Sequence, residues 1–555
     1  NRSDKERHLT ATGYCEFTNE NNYEQDQINL QYTLFIGRTL YENNMIRQQI
    51  NGNLDLGEEC ATQGGHSYVE RFFGMAGAQV SSFCGDKNAF LGAYRTYGNP
   101  IGVTSGNLGS VLSYNGNSCG ALATEITLAP GEKKTFCFVL GMKYKKEAQR
   151  ILRDYEVDAL RQVKSEMAEL RSFWNERLSR FHVDTPSKEF NTMINIWNAY
   201  NCYMTFTWSR AASFIYCGLR NGYGYRDTVQ DIQGVIHLAP GEAKDKITFM
   251  LSAQVDNGGG LPLVKFTHDP GHEDTPDDAS YRQLTGHPAY RADDALWLFP
   301  TVYKYLTETG DLAYLDEIIP YANRGEDTVY EHLKKAVDFS LNHLGPHGLP
   351  AGLYADWNDC LRLGADGESS FVAFQFYYAL QILMILAKEK KDKKEIGLLE
   401  EKIALYEAKI QNLCWNEDRF IRGFTEDGKT IGCRDDEEAS LWLNPQSWSV
   451  ISGIATKDQA KKAMDLVERE LNTPYGVEIM NPPYHAHAFE GALAVIFNQG
   501  TKENGGIFSQ PQGWLILAEA LLGEGDKAFR YFMENAPAAQ NKRAEIRGIE
   551  PYVYG

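Results

Sequence analysis

The stretch AGLYADWNDCLRLG (351–364) sets two carboxylates three residues apart, Asp356 and Asp359, around the indole of Trp357. Burial beside an apolar ring disfavours the charged form of a carboxyl and raises its pKa. A raised pKa lets a carboxyl act as a general acid near neutral pH. Trp357 suits a stacking platform as well as an apolar wall. The same residues fit a plain structural role, with Asp356 or Asn358 capping a helix and Asp359 in its first turn. Spacing alone leaves both readings open.

Two further loops carry chemistry-bearing side chains. TWSRAASFIYCGLRNGYGYRDTVQD (207–231) holds Arg210, Arg220, Arg226, Asp227 and Asp231 among glycines and tyrosines. Arginine forks bind phosphate oxygens or orient carboxylates, and the bland alternative is an Arg–Asp network between helices. FNQGTKENGGIFSQPQGW (497–514) places Glu503 and Asn504 before Gly-Gly, with Gln510 and Gln512 beyond. It reads as a site loop, or as an ordinary turn into a helix from Gly513. Two histidine-bearing segments are weaker. THDPGHEDTPDDASYRQLTGHPAYRADD (267–294) contains His268, His272 and His287 without diagnostic ligand spacing, and reads as a solvated lid. His485 and His487 share one side of a strand but lack a third ligand, so no metal is assigned.

These loops need a scaffold. The composition, 43% hydrophobic and 23% charged, is that of a globular protein. A net charge of −19 argues against nucleic acid as a partner, since phosphate backbones need a basic face. A small phosphate needs only a local arginine cluster. The ten cysteines are scattered with no CxxC, which suggests free thiols in a reducing cytoplasm. No signal peptide is evident, and no apolar run reads as long enough to span a membrane. Residues 1–143 are rich in β-branched and aromatic runs split by turns, which predicts a β-sandwich. Within it, TLAPGEKKTFCFVLG resembles a hairpin around a tight turn. Residues 144–185 predict a helical linker. From 186 to 555, helical segments alternate with Gly-rich loops, which predicts an α/α toroid with the site on its loops.

YRDTVQD (225–231), DDALWL (293–298), ADWNDC (355–360), GTKENGGIF (500–508) and EIRGIEPYVY (545–554), in this order, resemble glycoside hydrolase family 94, the inverting β-disaccharide phosphorylases. The resemblance implies an N-terminal β-sandwich, a helical linker, an (α/α)6 barrel and a small C-terminal β-domain. It implies that the last helices and that C-terminal part are missing from this chain. It makes Asp359 the general acid, and Arg210, Arg226, Asp227 and Trp357 sugar-binding residues. Glu503 falls where the family places a carboxylate on the acceptor side or behind the site. Arg220 matches a phosphate-binding arginine, and Gln510 stands where the family has a phosphate-binding histidine. The implied reaction is phosphorolysis of a cellobiose-like β-disaccharide, or of cellobionic acid, to α-glucose 1-phosphate. Inorganic phosphate is the co-substrate, with no cofactor and no metal, and a homodimer is expected. Lys265 and His268 are candidates to meet the carboxylate of an aldonic-acid acceptor. Two other readings stand beside this one: an inverting hydrolase with Glu503 as base, and a carbohydrate-binding protein that does not cut.

Overall fold

The computed structural model describes residues 1–17, 34–50, 70–143, 145–209, 222–285, 289–485, 489–547 and 551–554. The chain divides into two units, residues 1–176 and 177–555.

The first unit is built on two antiparallel sheets. One has the order β1 (Arg7–Glu16), β6 (Ser118–Leu128), β5 (Ser82–Asp86). The other runs β2 (Gly37–Glu42), β3 (Met45–Ile50), β4 (Glu70–Ala76), β7 (Cys137–Lys143). Strand side chains alternate between faces, and β6 uses both. Leu122 points into a cluster with Ile46, Phe73 and Met75 of the other sheet. Cys119, Ala121 and Ala123 point the opposite way, against Phe90 and Leu108. The expected hairpin is not formed. The turn is present, with Gly131 at φ 79 and the Glu132 carboxylate accepting from Ala129 N. However, β6 pairs with β1 and β5 while β7 pairs with β4. Phe136 and Phe138 pack into the cluster that holds Leu122, so contact between sheets, rather than the turn, sets the partners. The charged stretch after β7 forms α1 (Lys145–Glu156) and α2 (Ala159–Leu178). Ala148 and Leu152, one turn apart on α1, pack on Met45, Phe72 and Ala76, so α1 belongs to the sheet.

The second unit is helical. Its core helix, α8 (Ser370–Lys390), is capped by the Ser369 hydroxyl, which accepts from Val372 N. Among the described residues it is the one helix long and apolar enough to cross a membrane, and 83% of its apolar window is buried inside the protein. The unit's other helices include α3 (Ala199–Trp208), α4 (Tyr225–Gln233), α5 (Pro240–Ser252), α6 (Leu298–Thr309), α7 (Val329–Asn342), α9 (Lys393–Leu413), α10 (Leu443–Ile451), α11 (Lys457–Glu470), α12 (Ser509–Leu521) and α13 (Gly525–Asn535), of which α6, α7, α9 and α10 pack against α8. Helix α12 begins at Ser509, four residues before the glycine read as its start, so Gln510 and Gln512 lie in its first turn. Proline in that turn loses no helical hydrogen bond. Residues 267–275 are solvated only in part: Asp269 and His272 are exposed, whereas Glu273 and Thr275 are buried. His268 has a fully buried side chain, with Nδ1 3.1 Å from Glu273 Oε1 and Nε2 3.1 Å from Ser252 O on α5.

Candidate active site

Residues 351–364 form an irregular loop stitched between two others. Ala292 N donates to Ala355 O at 3.0 Å, and Arg362 N donates to Gly491 O at 2.9 Å. No helix starts at 356–359, so the capping role fails; instead Asp356 Oδ1 accepts from Asn358 N at 2.9 Å, a local turn. The rest of Asp356 is locked as well. Arg422 Nη2 reaches both of its oxygens at 2.7 Å, and the Ser369 hydroxyl donates to Oδ2 at 2.7 Å. Arg422 is fully buried, lies over Trp442, and also donates to Ser369 Oγ and Asn358 Oδ1. A buried pair with this many hydrogen bonds is a structural joint.

Asp359 is different. Its side chain is 49% exposed, and two guanidiniums approach one oxygen. Arg226 Nη2 donates to Oδ1 at 2.7 Å. Arg291 Nη1 stands 3.1 Å from the same oxygen, buried and outside hydrogen-bond alignment, so this contact is an ion pair only. Arg226 is aimed by its other nitrogen: Nη1 donates to Asp293 Oδ1 at 3.3 Å and to the Asp356 carbonyl. Asp293 is itself held by Trp297 Nε1 at 2.9 Å.

The indole of Trp357 does not form an apolar wall around an acid. Its Nε1 donates to Gln510 Oε1 at 3.0 Å; Gln510 Nε2 donates to Gln230 Oε1, and Gln230 Nε2 to Arg226 O at 3.0 Å. This chain of amides ties loop, α12 and α4 together. The ring lies edge-on to Phe508 and Trp514, with centroids 5.5 and 5.4 Å away, and Trp514 stacks on Trp297 at 5.6 Å. Burial pushes Glu503 up, the nearby charge of Asp359 adds to the shift and a bond from Cys360 N opposes it; burial raises Asp293 too, against the pull of Arg226. Glu503 Oε2 accepts from Cys360 N at 3.0 Å and from Asn358 Nδ2 at 3.4 Å, the two residues flanking Asp359.

Arg226, Trp357, Asp359, Glu503 and Gln510 are therefore gathered as the sequence suggested. Asp227 lies in the first turn of α4, its carboxyl folded so close to Gly224 that an added Cβ there would meet Oδ2 at 2.6 Å. Arg210 and Arg220 fall outside the described residues, as do His287 and His487. Lys265 is taken by Glu273 Oε2 at 2.9 Å and His268 is buried, so neither is free to meet an acceptor. Sequence reasoning missed Arg291, Asp293, Tyr354 and Arg422. The signal for Arg422 was a charge inside the apolar segment RFIRGF (419–424), a sign of a buried partner.

Loops of a helical unit that gather carboxyls, arginine forks and tryptophans make an enzyme-type active site. Residues 173–555 match the profile "Glycosyl hydrolase 94 superfamily, catalytic domain", and residues 1–157 match "Glycosyl hydrolase 94, supersandwich domain". The chain belongs to the glycosyl hydrolase 94 superfamily. It is 35% identical over 568 residues to N,N'-diacetylchitobiose phosphorylase of Vibrio furnissii, covering 100% of this chain and 69% of that protein. It is 30% identical to solabiose phosphorylase of Paenibacillus borealis, over 87% of this chain and 60% of that one. Cellobionic acid phosphorylase of Neurospora crassa is 25% identical, over 82% and 55%. Among solved structures, a bacterial glucoamylase complexed with acarbose superposes with a TM-score of 0.53 at 12% identity, over 91% of this chain and 69% of that chain, a likeness to (α/α)6 glycosidases in fold alone.

Proposed function

We propose that this enzyme cleaves a β-linked glucosyl disaccharide of the cellobiose type, cellobionic acid included, with inorganic phosphate, giving α-glucose 1-phosphate and the released sugar. The observation that carries the assignment of the acid is the contrast within one loop. Asp356 has its oxygens committed to Arg422, Ser369 and Asn358, whereas Asp359 keeps a half-exposed carboxyl. Asp359 donates its proton to the glycosidic oxygen as that oxygen leaves the anomeric carbon. A phosphate oxygen forms the new bond from the opposite face, which inverts the centre. Arg226 and Arg291, 2.7 and 3.1 Å from Oδ1, stabilise the carboxylate that appears as the proton leaves. Phosphate is already an anionic nucleophile, so no base is needed to activate water. Arg220 and Gln510 are its proposed ligands, Gln510 through the amide N–H left over from its bond to Gln230. Trp357 and Asp227 contact the donor sugar.

The bonds of Glu503 to Asn358 and Cys360 keep it beside the acid, which weighs against a hydrolytic base across the ring. The test is release of sugar 1-phosphate by the full-length protein from cellobiose, cellobionate, laminaribiose and diacetylchitobiose, with and without phosphate. Phosphate-dependent release from cellobiose or cellobionate supports the proposal; release only from laminaribiose or diacetylchitobiose keeps the phosphorylase and replaces its substrate. Free monosaccharide formed without phosphate replaces it with a hydrolase.

A further inference from the structure

Trp357, Gln510 and Gln230 form a hydrogen-bonded chain whose direction is fixed at both ends. Trp357 Nε1 donates to Gln510 Oε1 at 3.0 Å, Gln510 Nε2 donates to Gln230 Oε1, and Gln230 Nε2 donates to the Arg226 carbonyl at 3.0 Å. An indole N–H only donates, and a backbone carbonyl only accepts. Turning over the Gln510 amide sets N–H against N–H at Trp357. Turning over the Gln230 amide sets oxygen against oxygen at Arg226. One orientation of each amide therefore satisfies all three bonds. In it, Gln510 faces the indole with its oxygen and Gln230 with one N–H. Its second N–H has no partner among the described residues. Gln230 is 9% exposed, whereas Gln510 is half-buried in the first turn of α12, so of the two amides Gln510 is the one a ligand can reach.

An unspent N–H suits an oxygen that only accepts. Ionised phosphate carries such oxygens, whereas water and sugar hydroxyls also donate. The last torsion of a glutamine side chain is soft, so a single bond to the indole does not fix the amide plane. The second bond, to Gln230, does. We infer that Gln230 is a positioning residue for the nucleophile: it holds the Gln510 amide so that the spare N–H meets a phosphate oxygen. The inference rests on the proposed role of Gln510 as a phosphate ligand and adds the residue that sets its orientation.

The experiment measures KM for inorganic phosphate and for the disaccharide in the full-length protein, with whichever of cellobiose, cellobionate, laminaribiose and diacetylchitobiose is cleaved. Gln230→Met is expected to raise the ratio of phosphate KM to disaccharide KM by about tenfold, the worth of one hydrogen bond to an anion, with a smaller change in kcat. Gln510→Met is expected to raise the same ratio at least as far. In the Gln510→Met background, Gln230→Met is expected to add nothing, because its effect passes through that amide. Where Gln230→Met does not fold, Gln230→Ser, which leaves room for water, replaces it with the same expected rise. Losses that add in the double variant, or an equal rise in both KM values, make Gln230 a structural residue and overturn the inference. A ratio unmoved by Gln510→Met overturns it without any Gln230 variant. Turnover that does not depend on phosphate overturns the proposed function, and this inference with it; phosphate-dependent turnover with an unmoved ratio overturns this inference alone.

Discussion

Asp356 and Asp359 lie on one loop, three residues apart, and each meets arginine. Around Asp356 a fully buried guanidinium, a hydroxyl and a backbone N–H take up the carboxylate oxygens. Around Asp359 two guanidiniums share one oxygen and half of the side chain faces solvent. Identical residue types thus give a structural joint in one place and an accessible carboxyl in the other. What separates them is how many partners each carboxylate has spent and whether a substrate can reach what remains.

The sharpest way to break this comparison is Asp359→Asn. Phosphorolysis is expected to fall by about 10³-fold, within the range a general acid supplies. Stability should fall by less than in the Arg422 variant below, because half of the Asp359 side chain is solvated and the amide still accepts from Arg226. Retained turnover would place the acid elsewhere, and a collapse in melting temperature would make Asp359 a second joint. Arg422→Met tests the other half. It leaves Asp356 charged and buried, so a loss of about 3–5 kcal/mol is expected in denaturant unfolding. A variant with unchanged stability would show that Asp356 is not the structural member.

Glu519 sharpens the comparison with a carboxyl that has no hydrogen-bond partner among the described residues. It is fully buried on α12, and neither oxygen is hydrogen-bonded within them. Burial pushes it up from 4.5 to about 7, and Lys527 only partly offsets this. Because the folded-state value is raised, its contribution to stability is present below about pH 4.5 and is lost as pH rises through about 7. The shift corresponds to about 3 kcal/mol above pH 7. Glu519→Gln should therefore melt higher than wild type at pH 8, with the gap closing toward pH 5. A gap that does not depend on pH would exclude ionisation as the cause.

Much of this was legible in residue patterns. The helices α11 and α13 follow from apolar spacing, α8 from an apolar run too long for a strand, and Ser369, Asp392 and Thr456 cap α8, α9 and α11, because these signals act within a few residues of one another. The β-rich and helical halves were legible for the same reason. Strand partners were not: the turn at Gly131 is local, but the choice between one sheet and two depends on Phe138 finding Leu122 across the core. The burial of His268 was equally hidden, because it depends on α5 and Glu273 arriving from elsewhere.

The sequence by itself determined which side chains were available: the acids and indole of ADWNDC, the arginine of YRDT, and the glutamate and glutamines near GIF. These are fixed by covalent order and by motif. Only the tertiary structure decided how they divide the work. It brought Arg422 to Asp356 across 66 residues and Arg226 to Asp359 across 133. It also moved the apolar surroundings from Asp359 to Glu503 and set two arginines on Tyr354. Charge, burial and exposure are sums over neighbours, and in this site the neighbours that count come from distant parts of the chain.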